Sequence, residues 1–382
     1  PRLNMICRSR VPSRFGGWDS HKSVILAFDA NGRLQVAGNM HDSPLVYAAA
    51  DKPDDISAMI LRPMIGRNES SVTYPIFMNS FDGALYFAYR SGVSGNGEWF
   101  TNVFRDSSWR RVSNTPLFSS AWGGRPTSAY PSAIRLSEDN YIHLAIVWRR
   151  TFDVSTNYAI TYGRTSDFVH WTNHEGYPIN LPLDPGNSDL IESPGVGSGL
   201  VNSARVNLAQ DGTPIIAYTR YGSGGRNVLV LASPSGKGWH RSVVAVAARR
   251  TVMQGGGSVP DLPIFGDSTF YSGGIASIDV TFPGEARRRI FFNAENLVTT
   301  APPKTIKPAK ANLISLSPPP NLVDIREMTR NVRRSGTSDT KNSAGSIVYF
   351  SQGINRDQKR TCTPTQPTAC DPPPSPLIFI PN

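Results

Sequence analysis

Along most of the chain, apolar runs of four to seven residues follow turn residues. Asn31-Gly32, Asp82-Gly83, Asp139-Asn140 and Asp211-Gly212 precede apolar runs at 34–37, 84–89, 142–148 and 214–218. In two of these units a second apolar run and a Trp come next, 158–163 before Trp171 and 227–233 before Trp239. No window keeps a helical period, and none approaches the roughly 18 apolar residues of a membrane span. Short runs bounded by turn residues predict strands. The four turns lie 51, 57 and 72 residues apart, which is the length of a four-stranded blade with variable loops. One blade cannot bury both faces, so several must stack around an axis. A β-sandwich accounts for the strands but not for the period. The pattern therefore predicts an all-β chain with a β-propeller body.

Composition supports this body and then marks where it stops. Thirty-three Gly and 31 Pro in 382 residues suit many tight turns. All seven Trp precede residue 240, whereas 13 of the Pro fall in the last 82 residues. Pro318-Pro319-Pro320 and Pro372-Pro373-Pro374 cannot sit inside a central sheet. The expected organisation is a propeller over 1–297 and a Pro-rich, mostly irregular tail over 298–382. Within that tail only 346–350 and 377–380 read as strands, and they are the candidates to close the ring.

The three cysteines give no disulfide framework: Cys7 stands alone, and Cys362 and Cys370 are spaced to close a small loop. One sequon occurs, Asn68-Glu69-Ser70. The chain begins at Pro1 with no visible signal peptide, as expected if a leader has been removed or the record starts inside the gene product.

The net charge of +10 favours an anionic partner. Arginines are scattered rather than massed in one arm or helix, and no zinc-finger, RRM or helix-turn-helix pattern is present, which argues against nucleic acid. An anionic polysaccharide suits the charge and the many Trp and Tyr residues better. A basic surface that serves only solubility is the plainer alternative.

Candidate chemistry concentrates within about ninety residues. Trp18-Asp19-Ser20-His21 is followed by Gly38-Asn39-Met40-His41-Asp42-Ser43-Pro44-Leu45-Val46-Tyr47, then Tyr74-Pro75, then Tyr89-Arg90-Ser91-Gly92-Val93-Ser94-Gly95-Asn96-Gly97. These segments supply two imidazoles, a phenol and a guanidinium beside strand-like runs. β-Elimination at a uronic acid needs a cation to neutralise the carboxylate, a base for the C5 proton and an acid for the leaving oxygen. Arg suits the first role because its fork holds a carboxylate in two bonds and never deprotonates. His suits either proton transfer, and a Tyr beside a cation can share them. Each residue also has a plainer reading. His21 precedes a strand as a surface or structural residue would, and His41 ends a strand between polar Asn39 and Asp42. Tyr74 alone reads as packing, and the glycines after Arg90 read as a hairpin turn or as a place where a ligand meets the backbone.

The ordered set W-D-S-H, G-N-M-H-x-x-P-L-V-Y, T-Y-P and Y-R-x-G-x-S-G-N-G resembles the BNR-4 type propeller lyases, which include ulvan lyases and rhamnose–glucuronate lyases. Val147-Trp148-Arg149-Arg150 and the segment from Tyr162 to Trp171 extend the likeness over roughly residues 11–240. The resemblance implies a seven-bladed propeller, its first or last blade incomplete here, and metal-independent elimination next to a uronic acid. By motif, His21 and His41 match the histidine pair, Tyr74 the tyrosine acid/base and Arg90 the carboxylate-neutralising arginine. Trp18, Asn39, Asn96, Tyr130 and Arg149 are the candidate substrate contacts. No cofactor or metal is expected, since His170 and His174 have no nearby Cys. The expected partner is a uronic-acid polysaccharide, met outside the cell by a monomer, with neither nucleic acid nor membrane involved. Two other readings share the scaffold. One is a non-catalytic propeller that holds an anionic glycan. The other is a hydrolase of the α-rhamnosidase type, for which Asp19 and Asp42 are the only close carboxylates.

Overall fold

The computed structural model describes residues 21–303, apart from 81, 237, 257, 258 and 260, and the backbone of three later strands. Trp18, Asp19, Cys7, Cys362 and Cys370 lie outside the described residues. Every regular element described is a strand, apart from the single helical turns Val154–Thr156 and Ser272–Gly274. The all-β class expected from the pattern holds, and the likeness to solved structures described below bears out the propeller. The count of seven blades rests on the resemblance alone.

The repeat is visible in hydrogen bonds. At Asp29, Ser80, Ser137 and Ala209 the backbone N–H donates to the carbonyl four residues on, at Arg33, Ala84, Tyr141 and Thr213, over 2.9–3.1 Å. The N–H three residues on, at Gly32, Gly83, Asn140 and Gly212, donates back to the first carbonyl. Those closing residues all have positive φ, between 65° and 87°, which Gly adopts freely and Asn tolerates. All four turns marked by the sequence are therefore one structure used four times.

Two compact units are present. The first comprises 1–93, 99–114 and 311–382, and the second 94–98 and 115–310. In the first, β1 (Val24–Phe28), β2 (Leu34–Gly38), β3 (Tyr47–Lys52) and β4 (Asp55–Leu61) form one antiparallel meander. The next meander is β5 (Val72–Asn79), β6 (Leu85–Val93), β7 (Asn96–Arg105) and β8 (Ser108–Arg111). Met40, Tyr47, Val72, Phe87, Tyr89 and Phe100 pack into one buried cluster between these sheets. A polar chain crosses the same interior. Trp109 Nε1 donates to Tyr47 Oη at 2.9 Å, Tyr47 donates to Gln35, and Gln35 Nε2 donates to Asp29 at 2.9 Å. Burial pushes the Tyr47 phenol up to about 12, so it stays a donor, and the chain leaves no member unsatisfied.

Strands Ile325–Val332, Gly345–Gln352 and Leu377–Pro381 form a three-stranded antiparallel sheet. The two strands expected in the tail fall inside the last two of these. Ile325–Val332 is additional: its sequence Ile-Arg-Glu-Met-Thr-Arg-Asn-Val has too few apolar residues, out of step with a period of two, to announce a strand.

The second unit carries three sheets of four or more strands. One centres on Ile142–Arg149 and Asn157–Thr165, and one is the meander Arg205–Leu208, Pro214–Tyr221, Asn227–Ser235 and Gly238–Val246. The third centres on Ile275–Thr281 and Arg288–Asn293. Ile215, Leu229, Leu231, Phe265, Ile278 and Phe292 form the buried layer shared by the last two.

Candidate active site

Strand register brings the two histidines together. Val24 pairs with Gly38 at the open end of β1 and β2. Continuing that register three residues further sets His21 opposite His41, and their rings stack with centroids 4.1 Å apart. Gly38 makes the approach possible, because a Cβ there would come within 2.6 Å of Ser23 O and 2.7 Å of Val24 Cα. Asn39 then turns left-handed at φ 64°, donating its N–H to Ser23 O at 3.3 Å. It is buried, so the structure places this candidate substrate contact in the loop that aligns the histidines.

The loop carrying His41 is stapled to β5. Met40 is fully buried in the core cluster, and His41 N donates to Ser43 Oγ at 3.2 Å. Asp42 N donates to Thr73 Oγ1 at 2.9 Å, and its carboxylate accepts from Ser71 Oγ. Val72 N donates to Ser43 O at 2.8 Å.

Tyr74 enters from a distortion in β5. The register with β6 shifts between Thr73 and Ile76, and Tyr74 sits at φ 56°. A bulky aromatic in that region is an outlier, and Pro75 disfavours helical-type conformations before it. Such a residue costs about 1–3 kcal/mol and persists where surrounding contacts hold it. The bulge re-aims the phenol, placing its oxygen 3.0 Å from His21 Nε2. Trp99, on β7 and buried, lies parallel to the Tyr74 ring at 2° with centroids 6.2 Å apart.

Arg90 is opposite Thr73 on β6. Phe87 and Tyr89 turn into the core cluster, so strand alternation points Arg90 the other way. Its Cζ stands 4.9 Å over the Tyr74 ring, and the residue is only 3% exposed. Among the described residues its Nε and Nη2 have no hydrogen-bond partner. Burial lowers its pKa, and Tyr74 and Asp42 oppose that shift; an arginine so placed remains charged. Buried donors without acceptors are costly, and a bound carboxylate is the group that satisfies two of them at once.

His21, His41, Tyr74 and Arg90 therefore meet in one cluster of the first unit. Two of the other candidates form a separate pair in the second unit. Arg149 and Tyr130 are both buried, with Arg149 Cζ 4.0 Å over the Tyr130 ring and Nη2 donating to Ser94 Oγ at 3.2 Å. Asn96 is exposed at the start of β7. His170 and His174 bind Asp167 and Asp189 at 2.7 and 2.6 Å, and no group of three or more metal-ligating side chains occurs among the described residues. Sequence reasoning missed Trp99 and the clamp formed by Ser71, Thr73 and Asp42. Trp99 lies outside the motifs, and its place against Tyr74 depends on the pairing of β6 with β7.

Comparison with solved structures shows the fold. An ulvan lyase of polysaccharide lyase family PL25 superposes with a TM-score of 0.55 at 13% identity, covering 87% of this chain and 76% of that one. The same lyase bound to -[GlcA(1-4)Rha3S]- gives 0.55 at 12% identity over the same shares. The polysaccharide lyase Uly1 gives 0.52 at 12% identity, covering 95% and 78%. No curated protein matches the sequence. The model of the family described as "BNR repeat-containing family member" matches residues 5–247, well over half of the chain, and the chain belongs to that family.

Proposed function

We propose that this protein is a polysaccharide lyase that cleaves a glycosidic bond next to a uronic acid by β-elimination. The observation that carries this is the buried Arg90 fork, its Nε and Nη2 unpartnered among the described residues, standing over a phenol that is hydrogen-bonded to His21. Arg90 takes the uronate carboxylate and stabilises the charge that builds when the C5 proton leaves. That proton passes to the Tyr74–His21 pair, the C5 electrons form the C4–C5 double bond, and the C4–O bond breaks. The departing oxygen takes a proton from the same pair, so no water is consumed. His41, stacked on His21, fixes the ring that faces Tyr74. Tyr130, Arg149, Asn39, Asn96 and Trp18 are carried as substrate contacts by motif.

The solved PL25 lyase bound to a glucuronate–rhamnose-sulfate chain supports a polymer of that class as substrate, and the excess of basic residues agrees with it. A polymer of that size is met outside the cell. Hydrolysis needs two carboxylates flanking the bond; of the two candidates, Asp42 is engaged by Ser71 and Asp19 lies outside the described residues. The test is incubation with ulvan. Ultraviolet-absorbing 4,5-unsaturated ends with no added water in the product mass are expected, and products that carry a water and do not absorb would overturn elimination.

A further inference from the structure

The second unit carries a two-stranded ribbon that the proposed chemistry does not use. Ala121–Trp122 pairs antiparallel with Arg125–Pro126, and Gly123 and Gly124 turn it with φ of 60° and 69°. Two consecutive positive φ values make the tight hairpin turn that only Gly, Asn or Asp forms readily. A Cβ at either glycine would meet nothing within 4 Å, so the turn stands in open space. Register sets Arg125 directly opposite Trp122, and directly opposed residues leave a ribbon on the same face.

The ribbon is braced from within its own unit. Trp122 stacks on buried Tyr158, with centroids 6.0 Å apart and planes at 15°. Arg150 Cζ stands 4.2 Å from the Tyr158 ring and 5.3 Å from that of Trp122. Its Nη1 donates to the carbonyls of Trp122 at 2.9 Å, Pro126 at 3.3 Å and Arg125 at 3.5 Å. The indole Nε1 edge lies so close to Gly186 that a Cβ there would come within 2.8 Å. Even so, Trp122 remains 37% exposed. Arg125 is exposed, and its guanidinium has no hydrogen-bond or ion-pair partner among the described residues.

A single exposed apolar residue needs no explanation. A large aromatic locked in place by a second ring and a cation, and set beside an exposed guanidinium, has the parts of a binding site. An indole offers a flat apolar surface at low entropic cost. The guanidinium fork takes a carboxylate or sulfate in two bonds. We propose that Trp122 and Arg125 form a glycan-binding platform, on which the C–H face of one sugar packs against the indole while Arg125 holds an anionic group of that sugar or the next. This rests on the polysaccharide reading above and adds a contact made by residues outside the His21, His41, Tyr74 and Arg90 cluster.

The test is electrophoresis of the full chain through gels cast with ulvan, desulfated ulvan or neutral dextran. Wild type should be retarded by ulvan and not by dextran. Trp122→Ala should weaken the apparent affinity about tenfold or more, as truncation of an aromatic binding hot spot does. Arg125→Ala, an exposed change that spares the stack, should weaken it as well. Retention on desulfated ulvan assigns the Arg125 ligand as carboxylate, and loss assigns it as sulfate. Equal retardation of the wild type and both variants, or no retardation of wild type, overturns the platform. The readout needs no turnover: ulvan bound through Trp122 without any unsaturated product sinks the lyase reading and leaves the platform standing.

Discussion

His21 and Tyr74, 53 residues apart in the chain, meet at 3.0 Å between Nε2 and Oη. Two separate distortions produce the contact. Gly38 lets the ends of β1 and β2 close until His21 stacks on His41, and the bulge at Tyr74 turns the phenol out of β5. The imidazole is thereby held on one side by a ring and on the other by a hydroxyl. A proton-transfer pair needs this kind of orientation before pKa matters.

Tyr74→Phe removes only the hydroxyl and keeps the ring that meets Arg90 and Trp99. Turnover of ulvan should fall about 10²–10⁴-fold, the usual worth of a positioned acid or base. The thermal midpoint should change little, because the hydroxyl is not part of the buried core. Activity within a few-fold of wild type would remove Tyr74 from the chemistry.

Arg90 separates charge from geometry. Arg90→Ala should lower kcat on the order of 10²–10³-fold, as loss of one oxyanion donor does. Arg90→Lys restores a cation without the planar fork, so it should recover only part of that loss. Full recovery by Lys would mean that charge alone is used and that the paired donors are not.

Gly38→Ala tests the approach of the histidines. Its Cβ would run into backbone, Ser23 O at 2.6 Å and Val24 Cα at 2.7 Å, and backbone cannot swing aside as a side chain can. Both the thermal midpoint and the turnover should drop, the latter because His21 and His41 separate. A stable, fully active variant would show that the register beyond Val24 is immaterial to the site.

Much of this was legible in the sequence, and the reasons for the rest are physical. The four turns announced themselves because a residue with positive φ must close each one, so Gly or Asn stands there. His41, expected at the end of β2, lies three residues past it in the following loop, since β2 stops at Gly38. Its stacking on His21 was not readable, because register is a property of two strands and the clue, Gly38, looks like any strand-ending glycine. β3 contains Ala48, Ala49 and Ala50, good helix formers, yet all three are buried in a sheet; packing overrode propensity there. The left-handed Tyr74 was hidden because nothing in Tyr-Pro signals a bulge. Ser71 and Thr73 carried no signal at all, since their partner, Asp42, lies some thirty residues earlier.

His143 predicts how stability depends on pH. Its Nδ1 lies 2.6 Å from Tyr162 Oη and its Nε2 3.0 Å from Ser137 Oγ, and two hydroxyls that can each donate or accept serve the neutral imidazole in either tautomer. Burial, helped by Arg164, pushes its pKa from 6.5 down to about 4. A folded pKa below the unfolded one means that protonation favours the unfolded chain. The stabilisation is therefore complete above pH 6.5 and is lost as pH falls toward 4, amounting to roughly 3 kcal/mol at 1.36 kcal/mol per unit. Urea midpoints at neutral pH and near the lower end of that window should fall more steeply for wild type than for His143→Gln, which cannot be protonated. Parallel slopes would place the acid sensitivity elsewhere.

Trp99 should act through Tyr74 and not on the substrate. Its ring lies parallel to the phenol at 6.2 Å, and Tyr74 occupies a backbone conformation that survives only if its surroundings hold it. Trp99→Phe keeps an aromatic in the cavity and should cost little. Trp99→Ala empties a buried site, and loss of a large buried aromatic costs about 3–5 kcal/mol. The informative readout is the split between constants. If Trp99 only supports the fold, the Trp99→Ala protein that remains folded keeps its kcat. If it positions Tyr74, kcat drops while KM holds, because the carboxylate still meets Arg90 while the phenol no longer faces His21. An additional loss on combining Trp99→Ala with Tyr74→Phe would show that the two act independently; no further loss is expected, since both changes remove the same proton transfer.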